Sequence, residues 1–240
     1  MPTCKVLLSL LGCLALAGCV GGGGGSAEAP RAVQVTSDLV TITGPRGYCV
    51  DPAATQNFND TGFVLLGNCA AISGSIRAPQ PQLPAILTAA VAGPSEGANL
   101  SENLDALDGF FRSEEGQRLL SRSGDPASVE ILDTGTRGDI FLIHARDTSP
   151  GALPGVAQDY WRVYLDVGPR LATLSLFALA DTQIDGDDAF ATLTRFAAIV
   201  SDANRPGAAP AAPGAAELPQ SPPDPSERPF PEGVFARIFR

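Results

Sequence analysis

Two segments that cannot build a core bracket this chain. Gly21 to Pro30 is small and low in complexity, and Asn204 to Glu232 is rich in proline and alanine, including the pair Pro222-Pro223. Neither carries an apolar periodicity to bury, so each reads as a tether and not as part of a fold. The chain has 240 residues, and what lies between the flanks, residues 32–203, is one domain of ordinary size.

Ahead of the glycine run, Lys5 precedes the uncharged stretch Val6 to Ala17. A charged head, a short apolar run and small residues form a secretory signal. The run is too short to cross roughly 30 Å of hydrocarbon as a helix, and Gly18 and Gly21 to Gly25 follow it, so no membrane-spanning anchor is expected. Leu16-Ala17-Gly18-Cys19 resembles a bacterial lipobox. The resemblance implies a signal peptide over residues 1–18, cleavage before Cys19, a diacylglycerol on its thiol and a lipidated tether over residues 19–31. Acyl chains, at about 0.8 kcal/mol per buried methylene, then hold the protein to the cell membrane or outer membrane, facing the periplasm. Val20 stands after the cysteine in place of Asp, which in enteric-type lipoproteins favours the outer membrane.

Loss of the signal removes Lys5, the only lysine, and takes the formal charge from −10 to −11. An acidic domain whose cations are all arginine lacks the basic face that nucleic acid requires, and gains nothing electrostatically from anionic lipid. Schiff-base chemistry leaves with the lysine. Of the five cysteines, Cys4 and Cys13 are in the signal and Cys19 is acylated, so Cys49 and Cys69 remain. An even pair in an oxidising compartment reads as one disulfide, worth about 3 kcal/mol through chain entropy for such a loop. Two cysteines and the single, distant His144 have neither the ligand number nor the spacing of a metal site, and no cofactor is implied.

Within the domain, apolar β-branched runs separated by Gly, Pro and Asp predict strands near Leu39–Thr43, Tyr48–Val50, Phe63–Cys69 and Ala85–Val91. Ser101 is expected to cap a helix with Leu104, Leu107, Phe110 and Phe111 on one face. Ser113 caps a second, carrying Leu119 and Leu120 and ended by Gly124 and Pro126. Two hairpins follow: Val129–Leu132 with Ile140–Ala145 around Gly135 to Gly138, and Tyr160–Leu165 with Leu171–Leu179 around Gly168-Pro169. A last helix opens at Asp185 or Gly186 and aligns Phe190, Leu193, Phe196, Ala197 and Val200. This order predicts an α+β fold, an antiparallel sheet of short strands and hairpins with helices packed on it. It is similar to the PsbP-like fold of photosystem accessory proteins, a likeness that implies an accessory or binding role.

Ile131-Leu132-Asp133-Thr134-Gly135-Thr136 resembles the aspartic-protease signature, and a second triplet, Asp60-Thr61-Gly62, is present. Two carboxylates sharing a proton are what such an enzyme needs, so a hydrolase would use Asp60 and Asp133. Against this, Asn57-Phe58-Asn59 stands where the family has an apolar strand, and both triplets suit turns. His144 shares a strand face with Ile140 and Leu142 and reads as half-buried, and no Gly-x-Ser-x-Gly elbow is present. Asp181, Asp185, Asp187 and Asp188 resemble part of a calcium loop, but Thr192 replaces its bidentate glutamate; an acidic helix start accounts for them.

Tyr160, Arg162 and Tyr164 alternate with Trp161, Val163 and Leu165. With Trp161 on the core side, the Tyr-Arg-Tyr stripe is left to a ligand or partner, unless a helix covers it. After the linker 204–232, Val234, Phe235, Ile238 and Phe239 recur at helical spacing beside Arg237 and Arg240. Residues 233–240 are too few to hold a helix alone and read as an amphipathic segment that folds on docking, in a partner's groove, on a membrane surface or against its own domain. The leading expectation is a non-enzymatic accessory or assembly factor, bound to membrane lipid through Cys19 and to an envelope protein partner. A hydrolase and a small-ligand-binding lipoprotein are the other two readings.

Overall fold

The structure, a computed structural model, describes residues 28–95, 99–149 and 155–208. The expected signal peptide, the lipobox-like segment with Cys19, most of the expected tether, the expected linker beyond residue 208 and the expected docking residues Val234 to Arg240 lie outside the described residues. In chain order the elements are β1 (Ala32–Val35), β2 (Val40–Thr43), β3 (Tyr48–Val50), β4 (Gln56–Phe58), β5 (Thr61–Asn68), α1 (Cys69–Ser73) and β6 (Ala85–Pro94). They continue with α2 (Leu104–Arg112), α3 (Glu114–Leu120), β7 (Val129–Arg137), β8 (Ile140–Asp147), β9 (Val156–Val167), β10 (Arg170–Leu179) and α4 (Gly186–Ala203).

β1 and β2 form a hairpin of their own, and the other eight strands form one antiparallel sheet, an α+β architecture. Its order is β3-β5-β6-β10-β9-β8-β7, with β4 also paired to β5. On one face, Trp161, Val163 and Leu165 of β9 and Ala172, Leu174 and Leu176 of β10 lie in a core with Leu193, Phe196 and Val200 of α4. Val33, Val35, Val40 and Ile42 of the small hairpin complete that cover. The other face carries a second core, where Phe141, Ile143, Tyr160 and Tyr164 meet Leu107 and Phe111 of α2 and Leu120 of α3. The Phe111 ring lies 4.9 Å from Tyr164 and 5.7 Å from Phe141.

Two of the expected helix caps are present: Ser113 accepts a hydrogen bond from the Gly116 N–H, and Asp185 from that of Asp187. Ser101 does not cap α2. It lies inside a 3-10 turn, Leu100–Glu102, whose first N–H groups are taken by the Asp166 carboxylate at 3.1 and 3.2 Å. The first hairpin is also longer than expected, since β7 continues through Asp133 to Arg137 and turns at Gly138.

The borders of the domain shift slightly. Ala29 is buried with the Cys49–Cys69 disulfide, and the Val50 N–H bonds the Pro30 carbonyl at 2.7 Å, so the tether ends near Ala29 and not at residue 31. Asn204, expected in the linker, belongs to the fold: its side chain accepts from the Thr41 N–H and donates to the Thr41 and Val200 carbonyls, each at 2.8 Å. A Cβ at Gly62 would fall 2.7 Å from Val35, so the bare backbone there is what lets β1 lie across β5.

The disulfide joins β3 to the start of α1 across a separation of 20 residues. Replacing both Cys49 and Cys69 by Ser should lower stability by about 3 kcal/mol in urea unfolding, and wild type under reductant should match the variant. Equal midpoints for oxidised wild type and variant would show that the bridge does not constrain the unfolded chain.

Candidate functional site

The two carboxylates a hydrolase would need are far apart. β6, β10, β9 and β8 stand between β5 and β7. Five strand spacings of about 4.8 Å therefore separate the two loci, roughly 24 Å in all, and no proton can be shared. Each triplet has work in the fold. The Asp60 carbonyl accepts from the buried Arg170 guanidinium, and Gly62 admits β1. Thr134 donates to Asp108 and accepts from Arg112 at 3.0 Å, which docks α2 on β7. Asp60 lies in a turn as expected, whereas Asp133-Thr134-Gly135 lies within a strand, because pairing with β8 outweighs local turn preference.

His144 stacks on Trp161 with ring centroids 4.5 Å apart, and Phe190 of α4 meets it edge-on. Burial lowers its pKa below the ordinary histidine value, with Asp159 and Asp133 opposing, so the neutral imidazole is favoured. Its Nε2 is 3.9 Å from Asp159, whose carboxylate is already held by Arg146 at 2.6 and 3.1 Å. The arrangement is a packed aromatic pair and offers no activated nucleophile.

Asp147 is fully buried at the end of β8. It accepts from the Arg122 N–H at 2.7 Å, from the Ser149 N–H and hydroxyl at 2.9 and 2.6 Å, and from the Ser128 hydroxyl at 2.9 Å. The Arg122 guanidinium stands 3.7 Å away and lies over the rings of Tyr160 and Phe177. Burial opposes ionisation, but the bonds from Ser149, Arg122 and Ser128 outweigh it and hold the Asp147 pKa below the usual carboxylate value. The group anchors the segment after α3 to the sheet.

Of the Tyr-Arg-Tyr stripe, the two tyrosines are core. Tyr160 and Tyr164 are 1% and 5% exposed under α2 and α3, and the Tyr160 hydroxyl donates to the Leu120 carbonyl at 3.0 Å. Burial pushes the Tyr160 pKa up to about 12. Arg162 is different: it is only half-buried, its Nε donates to the Ser175 hydroxyl at 3.0 Å, and its guanidinium lies 5.0 Å from the Tyr160 ring centroid. Beyond it on the same face, Ser175 is paired with Thr88, and Thr173 with Ala90. The apolar core beneath α2 and α3 takes only Ala92 from β6 and nothing from β5, yet Ser175, Thr173, Thr88 and Ala90 on the same face are buried as well. Ser175, Thr173 and Thr88 gave no signal in the sequence, because each is one polar residue in an apolar run whose partners are distant.

A second feature invisible in the sequence is a cleft of about 770 Å³ between α4 and the loops around residues 45–48 and 79–83. Arg46, Gln80, Gln82, Asp188 and Arg195 line it above Leu83. Compared with known proteins, the chain matches no protein-family model and no curated protein.

The depressed Asp147 pKa means that the unfolded chain binds its proton more readily than the fold does. The stability it contributes is present above the ordinary carboxylate value near pH 4 and is lost as pH falls through the folded value. Asp147→Asn should cost about 3–5 kcal/mol at pH 7 and should flatten the decline in stability between about pH 5 and 3, read by urea unfolding across that range. A variant that keeps the wild-type slope would assign the acid sensitivity elsewhere.

Proposed function

We propose that the protein is a lipid-anchored envelope lipoprotein, held to a membrane through Cys19 and facing the periplasm, that serves as a non-enzymatic accessory or assembly factor for an envelope partner. The observation that carries this reading is where the two terminal segments leave the domain. The Thr43 hydroxyl donates to the Arg31 carbonyl at 3.0 Å, while Asn204 clamps Thr41. Both ends therefore issue beside β2, within about 10 Å at the usual strand rise. Only residues 20–28 separate Cys19 from Ala29, a reach of at most about 35 Å.

The chain thus enters and leaves the domain on one side, at Arg31 and Asn204. In this reading Val234, Phe235, Ile238 and Phe239, with Arg237 and Arg240, meet either the bilayer surface or a partner held at it. The disulfide suits an oxidising compartment, and the PsbP-like order of elements is in keeping with an accessory role.

Cys19→Ser should move the protein from the membrane fraction to the soluble fraction, and the mature wild type should have the mass of an acylated N-terminal cysteine. Deleting Val234 to Arg240 should leave thermal melting unchanged and abolish crosslinks to the envelope partner in intact cells. An unmodified N-terminus sinks the anchor, and persistent crosslinks sink the docking segment.

A further inference from the structure

We propose that the cleft between α4 and the loops around residues 45–48 and 79–83 binds a sugar acid: a small polyhydroxy ligand carrying one carboxylate. The site belongs to the folded domain and depends neither on the lipid anchor nor on the docking segment.

The first support is open space of fixed shape. The cleft holds about 770 Å³, within the range of about 300–1,000 Å³ that small-molecule sites occupy. Its loop wall is tied at three points. Gly47, with φ of 94°, packs its backbone against that of Gln80 and Pro81 and leaves no room for a Cβ. The Tyr48 hydroxyl donates to the Leu83 carbonyl at 2.8 Å, and the Cys69 N–H to the Gly47 carbonyl at 2.9 Å, beside the disulfide. The opposite wall is α4, which Leu193, Phe196 and Val200 anchor in the core. A site built before its ligand arrives loses little free energy in ordering.

The second support is charge. Most described arginines have a carboxylate within 4.0 Å, but Arg46 and Arg195, which line the cleft from its two walls, have none. Both are exposed, so water satisfies them and packing does not require them. Asp188 also lines the cleft, two turns before Arg195 on the same face of α4 and about 10 Å from it along the axis. Two guanidinium groups and one carboxylate favour a single negative charge, which Asp188 would repel if it were multiplied. In a chain of net charge −10, a concave site of positive sign is a local exception.

The third support is the neutral lining. Gln80, Gln82 and Thr192 make no side-chain hydrogen bond among the described residues. Each can donate and accept, as sugar hydroxyls do, and Asp188 can accept from a hydroxyl as well. Pro45, Pro79 and Leu83 supply apolar surface for the C–H face of a ring. A carboxylate for the arginines, hydroxyls for the amides and a C–H face for the prolines together describe a sugar acid.

The test is calorimetric titration of the full chain carrying Cys19→Ser with glucuronate, galacturonate and N-acetylneuraminate. Glucose and galactose, citrate, and glycylglycine are the neutral, polyanionic and zwitterionic comparisons. At least one sugar acid should bind, about tenfold or more tighter than every comparison. Arg46→Gln and Arg195→Gln should each weaken that sugar acid about tenfold without moving the melting temperature, because neither side chain has a partner in the fold. Arg137, exposed and unpaired at the β7–β8 turn, is the control, and Arg137→Gln should change neither quantity. Asp188→Asn should tighten citrate while the sugar acid is retained. A neutral sugar, citrate or the dipeptide binding as tightly as the sugar acids, full affinity in both cleft arginine variants, an equal loss in Arg137→Gln, or no binding by any of the three acids would overturn the proposal.

Discussion

A strand buried on both faces has to be covered twice, and β10 is such a strand. From Arg170 to Ala178 every residue is buried. Ala172, Leu174 and Leu176 point into one core, while Leu171 and Phe177 point into the other. The hydrophobic term therefore demands packing elements above and below, and the chain supplies α4 with the β1–β2 hairpin on one side and α2 with α3 on the other. Gly62 sets how closely the hairpin can approach, since any side chain there would strike Val35.

Polar groups caught in this two-sided arrangement are satisfied by tying together segments distant in sequence. Arg170, 3% exposed, donates to the Asp38 carboxylate at 2.8 Å and to the carbonyls of Asp60 and Ala92. One side chain thus joins the β1–β2 turn, the β4–β5 turn and β6. The β1–β2 turn needs such support, because Thr36 and Leu39 both have positive φ, at 67° and 59°, a conformation that costs side-chain-bearing residues free energy. Asn57 accepts the Thr36 N–H at 2.8 Å and adds a second hold on the same turn.

The class of fold was legible because its main signals are local. Alternation in Tyr160–Leu165, the helical stripe from Phe190 to Val200 and the capping residues Ser113 and Asp185 need no knowledge of distant partners. β4 escaped because Gln56 and Asn57 are polar and become a strand only through pairing with β5. The same non-locality made Asp133-Thr134-Gly135 look like a turn when it is ladder. The stripe of Tyr160, Arg162 and Tyr164 could be read as one face, but not which part of that face would be covered. That depends on where α2 settles, and α2 is placed by Asp166 holding the turn before it and by Asp108 meeting Thr134. Both contacts cross tens of residues and leave no mark on local pattern.

Among the described residues three arginines turn inward on this fold, and each is held differently. Arg170 has Asp38 and two carbonyls; Arg122 has Asp147, the Ala157 carbonyl and two aromatic rings. Each has a carboxylate within 4.0 Å, although the buried Arg122 Nε has no hydrogen-bond partner among the described residues. Arg162 has the Tyr160 ring, the Ser175 and Tyr164 hydroxyls and a longer-range attraction to the Asp147 carboxylate. A guanidinium brings five N–H donors, and Ser175 and Tyr164 use only part of them. Asp147 thus faces Arg122 at close range and attracts Arg162 from further away, so one buried carboxylate ties the exit of α3 and the middle of β9 to the end of β8.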